Sequence, residues 1–449
     1  MKTKIVLAAI VALGSVICSS SMFANAFDDC LNAYTNRTAQ CDTARQTRDD
    51  AAYAIYNPAF DAAESNYNTT LINDMITDTN AEHNCDLTLW GKIGDPTVEG
   101  DTGSCGATYS SHTNSIQTNY ESDLGTCTNT YTDPTALAKC VCEKTAIRDY
   151  FLRSTEDGYW DCKQTAQNEH DNKCITDAKN VQTRDDLNAL SLFWQQAGDA
   201  EATLQQSLKS SSWAWIQCDV YAYYSYANCT LRADCAANPP NCCQDNCSIL
   251  YNGYVQGANT AYNSKVGPAE AQEVHDIVIC NYTQTKDDYA SYAAQGYILN
   301  QSTAKYNHDQ MADYIDYVGA VNENNSDAQN TIDNCNCDEL DPSVCVSNAM
   351  AIANAKNATA TSNYLAKVNG PNDNPVGSNW SMWYQTTTNA NEELQREYQQ
   401  HAAAKTACVN SKQQTFQAIL DSASTAYNTA MAAAEDKYES CLERSCWGG

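Results

Sequence analysis

From Ser378 to Trp447 neither proline nor glycine interrupts the chain, and apolar side chains return at an interval of eleven. Val409, Leu420, Met431 and Leu442 form one row, Phe416, Tyr427 and Tyr438 a second, and Cys408, Ile419, Ala430 and Cys441 a third. Eleven residues fill three turns at about 3.67 per turn, so such a stripe keeps to one face of a nearly straight helix. The pattern predicts a helix of up to about 60 residues, roughly 90 Å long at 1.5 Å per residue. The same interval returns in Tyr109, Tyr120 and Tyr131, in Cys105, Ile116 and Cys127, and in the pairs Cys30/Cys41, Tyr56/Tyr67 and Cys218/Cys229. Alternating Val, Ile and Thr runs of strand type are lacking, and long stretches of Ala, Gln, Asp, Asn and Tyr predict helix elsewhere too.

Proline and glycine set the expected boundaries. Asn57-Pro58 predicts a break between helices over about 28–56 and 59–85, and Gly91–Ser104 reads as a loop. Helices follow over about 105–131, 135–155, 160–209, 211–236, 247–264, 268–318 and 342–368, with irregular stretches at Asn334–Cys345 and Asn369–Trp380. The expected scheme is a leader (1–26), an N-terminal helical hairpin (27–90), a loop (91–104), a disulfide-braced helical body (105–368), a second loop (369–380) and a long C-terminal helix packed on the body (381–449). No Gly/Ser-rich or Pro-rich linker divides it. The predicted fold class is all-α, an elongated bundle of long antiparallel helices and helical hairpins braced by multiple disulfides.

The first residues change the chemistry expected of the cysteines. Lys2 and Lys4, the apolar run Ile5–Cys18 and the small-residue site Ala24-Asn25-Ala26 have the layout of a secretory signal peptide, with cleavage expected before Phe27. Removing it takes Cys18 and leaves 22 of the 23 cysteines, an even number suited to complete pairing in an oxidising compartment. No later apolar run is long enough to span a bilayer, so the mature chain is expected to be secreted, extracellular or on the cell surface. A net charge of -29 repels nucleic acid and anionic membrane surfaces, and leaves basic partners or divalent cations as the charge-matched ones.

Geometry then constrains the pairing. Cys408 and Cys441 share a helix face but stand about 50 Å apart along it, whereas a disulfide needs Cα atoms within about 7 Å. Cys30 and Cys41, and Cys105 and Cys127, are separated by the same reasoning. The stretch "NPPNCCQDNC" holds Cys242, Cys243 and Cys247 after two prolines. Adjacent side chains diverge, so Cys242 and Cys243 should reach different partners, with Cys229, Cys235 and Cys247 nearest in sequence. Zinc would want separated Cys-x2-4-Cys pairs and usually a histidine, and none lies between His170 and His275. The motif reads as a stapled turn. Cys140/Cys142 and Cys335/Cys337 read the same way, and Cys85, Cys162, Cys174, Cys280, Cys345 and Cys446 complete the set of disulfide candidates.

Other chemistry is sparse. Asp338, Glu339 and Asp341 could hold calcium, but at no EF-hand spacing, so no cofactor is expected. No His-Glu-x-x-His, Gly-x-Ser-x-Gly or phosphate-binding glycine loop occurs. Tyrosine outnumbers phenylalanine 28 to 6, which suits helix interfaces with wet edges. Trp380, Trp383 and Tyr384 are the candidate ligand-stacking residues, and Asn-x-Ser/Thr sites start at Asn36, Asn68, Asn228, Asn246, Asn281, Asn300, Asn324, Asn357 and Asn379. The function expected is that of a secreted or cell-surface structural protein, a disulfide-stabilised helical rod that self-associates or binds other extracellular proteins as a filament or lattice. The alternatives are a secreted glycan- or receptor-binding module and a carboxylate-dependent helical hydrolase.

Overall fold

A computed structural model describes residues 21–239, 242–338, 342–370 and 377–446. Most of the expected leader, Pro240 and Asn241 of the "NPPNCCQDNC" motif, Glu339 and Asp341, and Trp447 lie outside these residues. Helix accounts for 96% of the described residues and no strand occurs among them. The helices are α1 (Ser21–Ile93), α2 (Gly103–Thr130), α3 (Pro134–Glu169), α4 (Ile175–Ala237), α5 (Cys242–Asp338), α6 (Ser343–Asn369) and α7 (Asn379–Ser445), with a π turn over His170–Cys174 between α3 and α4.

Several expected breaks are absent. Pro58 lies inside α1, so residues 27–90 form one helix and not a hairpin, and Pro268 likewise lies inside α5. A proline in a helix removes one hydrogen bond and costs about 3 kcal/mol. Here it stands between the buried alanines Ala52 and Ala63, which keep the helix packed on both sides. The first loop shortens to residues 94–102, where Gly94 takes a φ of 99° and Asp101 accepts hydrogen bonds from the Asp95 and Gly103 amides. Where a helix does begin, local chemistry explains it: Asp133 accepts from the Ala136 amide with Pro134 in the first turn of α3, and Ser378 Oγ accepts from the Ser381 amide ahead of α7.

The described cysteines form eleven disulfides in two nested sets. Cys127–Cys140, Cys105–Cys162, Cys85–Cys174, Cys41–Cys218 and Cys30–Cys229 join α1 and α2 to α3, the π turn and α4 as an antiparallel pair. Cys335–Cys345, Cys280–Cys408, Cys247–Cys441 and Cys243–Cys446 join α5 to α6 and α7 in the same manner. Cys235–Cys242 links the end of α4 to the start of α5, and Cys142–Cys337 ties α3 to α5. The structure is therefore an all-α bundle of long antiparallel helices braced by disulfides.

The chain packs as two compact units. One takes in the chain up to Ala63, Gln196–Thr283 and the chain from Ala404; the other takes in Glu64–Gln195 and Gln284–Ala403. In the first, the eleven-residue rows become seams of small residues: Cys30, Cys41, Ala52 and Ala63 are all buried. Tyrosines flank the seams in facing pairs, Tyr34 with Tyr226, Tyr251 with Tyr438 and Tyr262 with Tyr427, at ring distances of 5.3, 5.4 and 5.6 Å. The largest fully buried side chains are cysteines and serines, not aromatics. Small seams let helices approach closely, and the rings cover the edges.

Candidate functional site

The motif at Asn238–Cys247 resolves into braces. Cys242 bonds back to Cys235 and Cys243 bonds to Cys446, just past the end of α7, so the adjacent residues reach in different directions as their geometry requires. Cys247, one turn further on, bonds to Cys441. The sulfurs of Cys243, Cys247 and Cys446 lie within 4.8 Å of one another, the one such cluster of ligand-type atoms among the described residues. Each is committed to a disulfide, and a disulfide sulfur lacks the thiolate charge that binds zinc. The terminal "CLERSC" is spent in the same way, so it offers no thiol to another molecule. Each Cys-x-Cys pair serves two partners: Cys140 and Cys142 bond to Cys127 and Cys337, Cys335 and Cys337 to Cys345 and Cys142.

The three candidate stacking residues part company. Trp383 turns onto α5, its indole N–H donating to Thr303 Oγ1 at 3.1 Å and its ring 5.7 Å from Tyr306. Trp380 and Tyr384, one turn apart, stack on each other at 5.1 Å and 14°, and both are about half exposed. Helical spacing alone puts positions four apart on one face and carries the signal for this split.

A cavity of about 770 Å³ opens beside the π turn in the second unit, and no sequence motif announces it. Leu89, Ala166 and the Cys85–Cys174 bridge supply apolar wall, while Lys92, Asp161 and His170 supply polar groups. The π turn is pinned to α1 at both ends, by that bridge and by the His170 Nε2 contact with Asp86 Oδ1 at 2.9 Å. Burial pushes the His170 pKa down, but its hydrogen bonds to Asp171 and Asp86 outweigh this and leave it raised. Asp161, nine residues earlier on the same helical run, has its Oδ1 buried without a partner, and desolvation together with Asp157 and Asp316 pushes its carboxyl up. The cavity wall thus holds a charge-stabilised imidazole and, separately, a carboxyl that resists ionisation.

The glycosylation sequons are also sorted. Asn36, Asn68, Asn246 and Asn281 are exposed. Asn324 Nδ2 donates to Asn357 Oδ1, Asn357 Nδ2 to Asn325 Oδ1 and Asn379 Nδ2 to Asp313 Oδ2, each at 3.0 Å or less, so a glycan on any of these three would displace a hydrogen bond of the fold. Asn228 Oδ1 accepts from Asn252, and Asn300 is half-buried. Among the described residues no helix is long and apolar enough to cross a membrane. Comparison of the chain with protein-family models, with curated proteins and with solved structures gives no match in any of the three.

Proposed function

We propose that this is an exported structural protein, a helical scaffold whose braced fold is itself the product. One observation carries the reading: every one of the seven helices is bonded to a neighbour through cysteine, with all 22 cysteines after position 18 engaged. Such a density of bridges suits an oxidising compartment and exceeds what a chain of this length needs to bury a core. With no cysteine left over among the described residues, association with further copies or other extracellular proteins runs through non-covalent contacts. Exposed apolar side chains such as Ile72, Met75 and Ile76 on one face of α1 are candidates for these.

The test is expression in a secreting host with the leader in place. The reading expects protein in the medium or periplasm beginning at Phe27, with no thiol alkylated before reduction, and concentration-dependent particles in light scattering and electron microscopy. Retention as a reduced intracellular protein would refute export, and a monomer at every concentration and calcium level would refute assembly.

A further inference from the structure

Between α5 and α6, within the second unit, runs a groove of about 520 Å³. Ala320 and Ala360 leave its floor low. Tyr317 and Tyr364 stack on each other with ring centroids 5.0 Å apart and planes 22° from parallel, and Tyr314 meets Tyr364 edge-on at 6.2 Å. Lys367 donates to Asp313 and Asp316, and Lys356 to Asp327, so the cations of the groove are matched by carboxylates. In a chain with a net charge of -29, this is a strip of paired charge and planar amides. At one end the Asn379 side chain donates to Asp313, and one residue on stands the exposed Trp380–Tyr384 pair.

We propose that the groove between α5 and α6 binds a neutral saccharide. A tyrosine face outside that stack takes the C–H face of a pyranose, while carboxylate, amide and ammonium groups meet neighbouring hydroxyls as donors and acceptors. The matched charges give no net attraction to a phosphate or a polyanion, and so many polar groups oppose a lipid tail. The volume falls within the range of small-molecule sites. Trp380 and Tyr384 would extend the aromatic track for a longer chain. The site stands apart from the scaffold reading, since neither the braces nor an assembly surface calls for it.

The test is calorimetric titration of the disulfide-intact protein with neutral disaccharides of glucose, galactose, mannose and N-acetylglucosamine. One saturable site is expected for at least one of them. Tyr364→Ala should weaken it at least tenfold, Tyr364→Phe less than twofold, and the exposed Asn363→Ala severalfold without change in helix content. Should Tyr364→Ala fail to fold, Asn363→Ala decides alone. Absence of saturable binding, or unchanged affinity in Asn363→Ala and Tyr364→Ala, would overturn the proposal. Loss only in Trp380→Ala would move the site to α7 and overturn the groove assignment equally.

Discussion

Asp74 and Asp185 hold positions that, eleven residues away, belong to the bonded Cys85 and Cys174. Two carboxylates thus occupy a seam elsewhere built from cysteine and alanine. Desolvation and then Asp185 raise the Asp74 pKa; desolvation and then Glu82 raise that of Asp78, against Lys179. Asp186 is raised by desolvation with Asp74, Asp185 and Asp78 beside it. Asp74 Oδ2 and Asp78 Oδ1 are buried and accept no hydrogen bond. A raised folded-state value means the folded chain holds these protons more tightly, so their contribution is complete below the unfolded value of about 4 and is lost as pH rises through the raised values. Glu169 and Asp276, lowered chiefly by hydrogen-bonded cations, and Asp101, lowered by backbone amides, work in the opposite sense, but the raised carboxyls, which also include Asp157, Asp161, Asp245 and Glu273, outnumber them. The melting temperature should therefore rise as pH falls from 7 toward about 5. Asp74→Asn should add about 0.5–1 kcal/mol at pH 7 and flatten that dependence, as thermal unfolding at several pH values would check. At this scale the cysteines were legible, because distances along a helix exclude partners. The acids were not, since their environment depends on which face the packing turns inward.

Helices were legible as a class but not in their lengths. The proline rule misplaces breaks at both Pro58 and Pro268, because packing on either side, by Ala52 and Ala63 in one case and Val266 and Ala271 in the other, outweighs one lost hydrogen bond. The π turn has no sequence mark, since it answers a tertiary demand at Cys174 and His170. Glycines inside helices show the same contest of propensity and packing. A Cβ at Gly198 of α4 would lie 2.4 Å from Cβ of Tyr282 on α5, whereas one at Gly253 meets nothing within 4 Å. Gly198→Ala should cost about 1–3 kcal/mol despite better helix propensity, through overpacking. Gly253→Ala should gain about 0.5–1 kcal/mol. Denaturant melts of the two variants should move in opposite directions.

At the scale of the whole chain, composition pointed to a disulfide-rich helical protein, but 22 cysteines admit far too many pairings for spacing to choose among them. What selects the native set is antiparallel register, which fixes long-range partners once the turn at 131–133 and the junction between α5 and α6 are placed. Within that set Cys142–Cys337 is singular: with it set aside, no two bridges cross along the chain. Replacing both with alanine should lower stability by about 2–4 kcal/mol. The same variant should raise the yield of oxidative refolding without an isomerase, with disulfide mapping by mass spectrometry as the readout. Nesting also has a meaning for biogenesis. A chain entering an oxidising compartment N-terminus first would present its cysteines like opening brackets, and each closing cysteine would find its partner in the most recent one still open. Cys142 alone would have to wait, while Cys162, Cys174, Cys218 and Cys229 pass it by, and it is there that an isomerase would be needed.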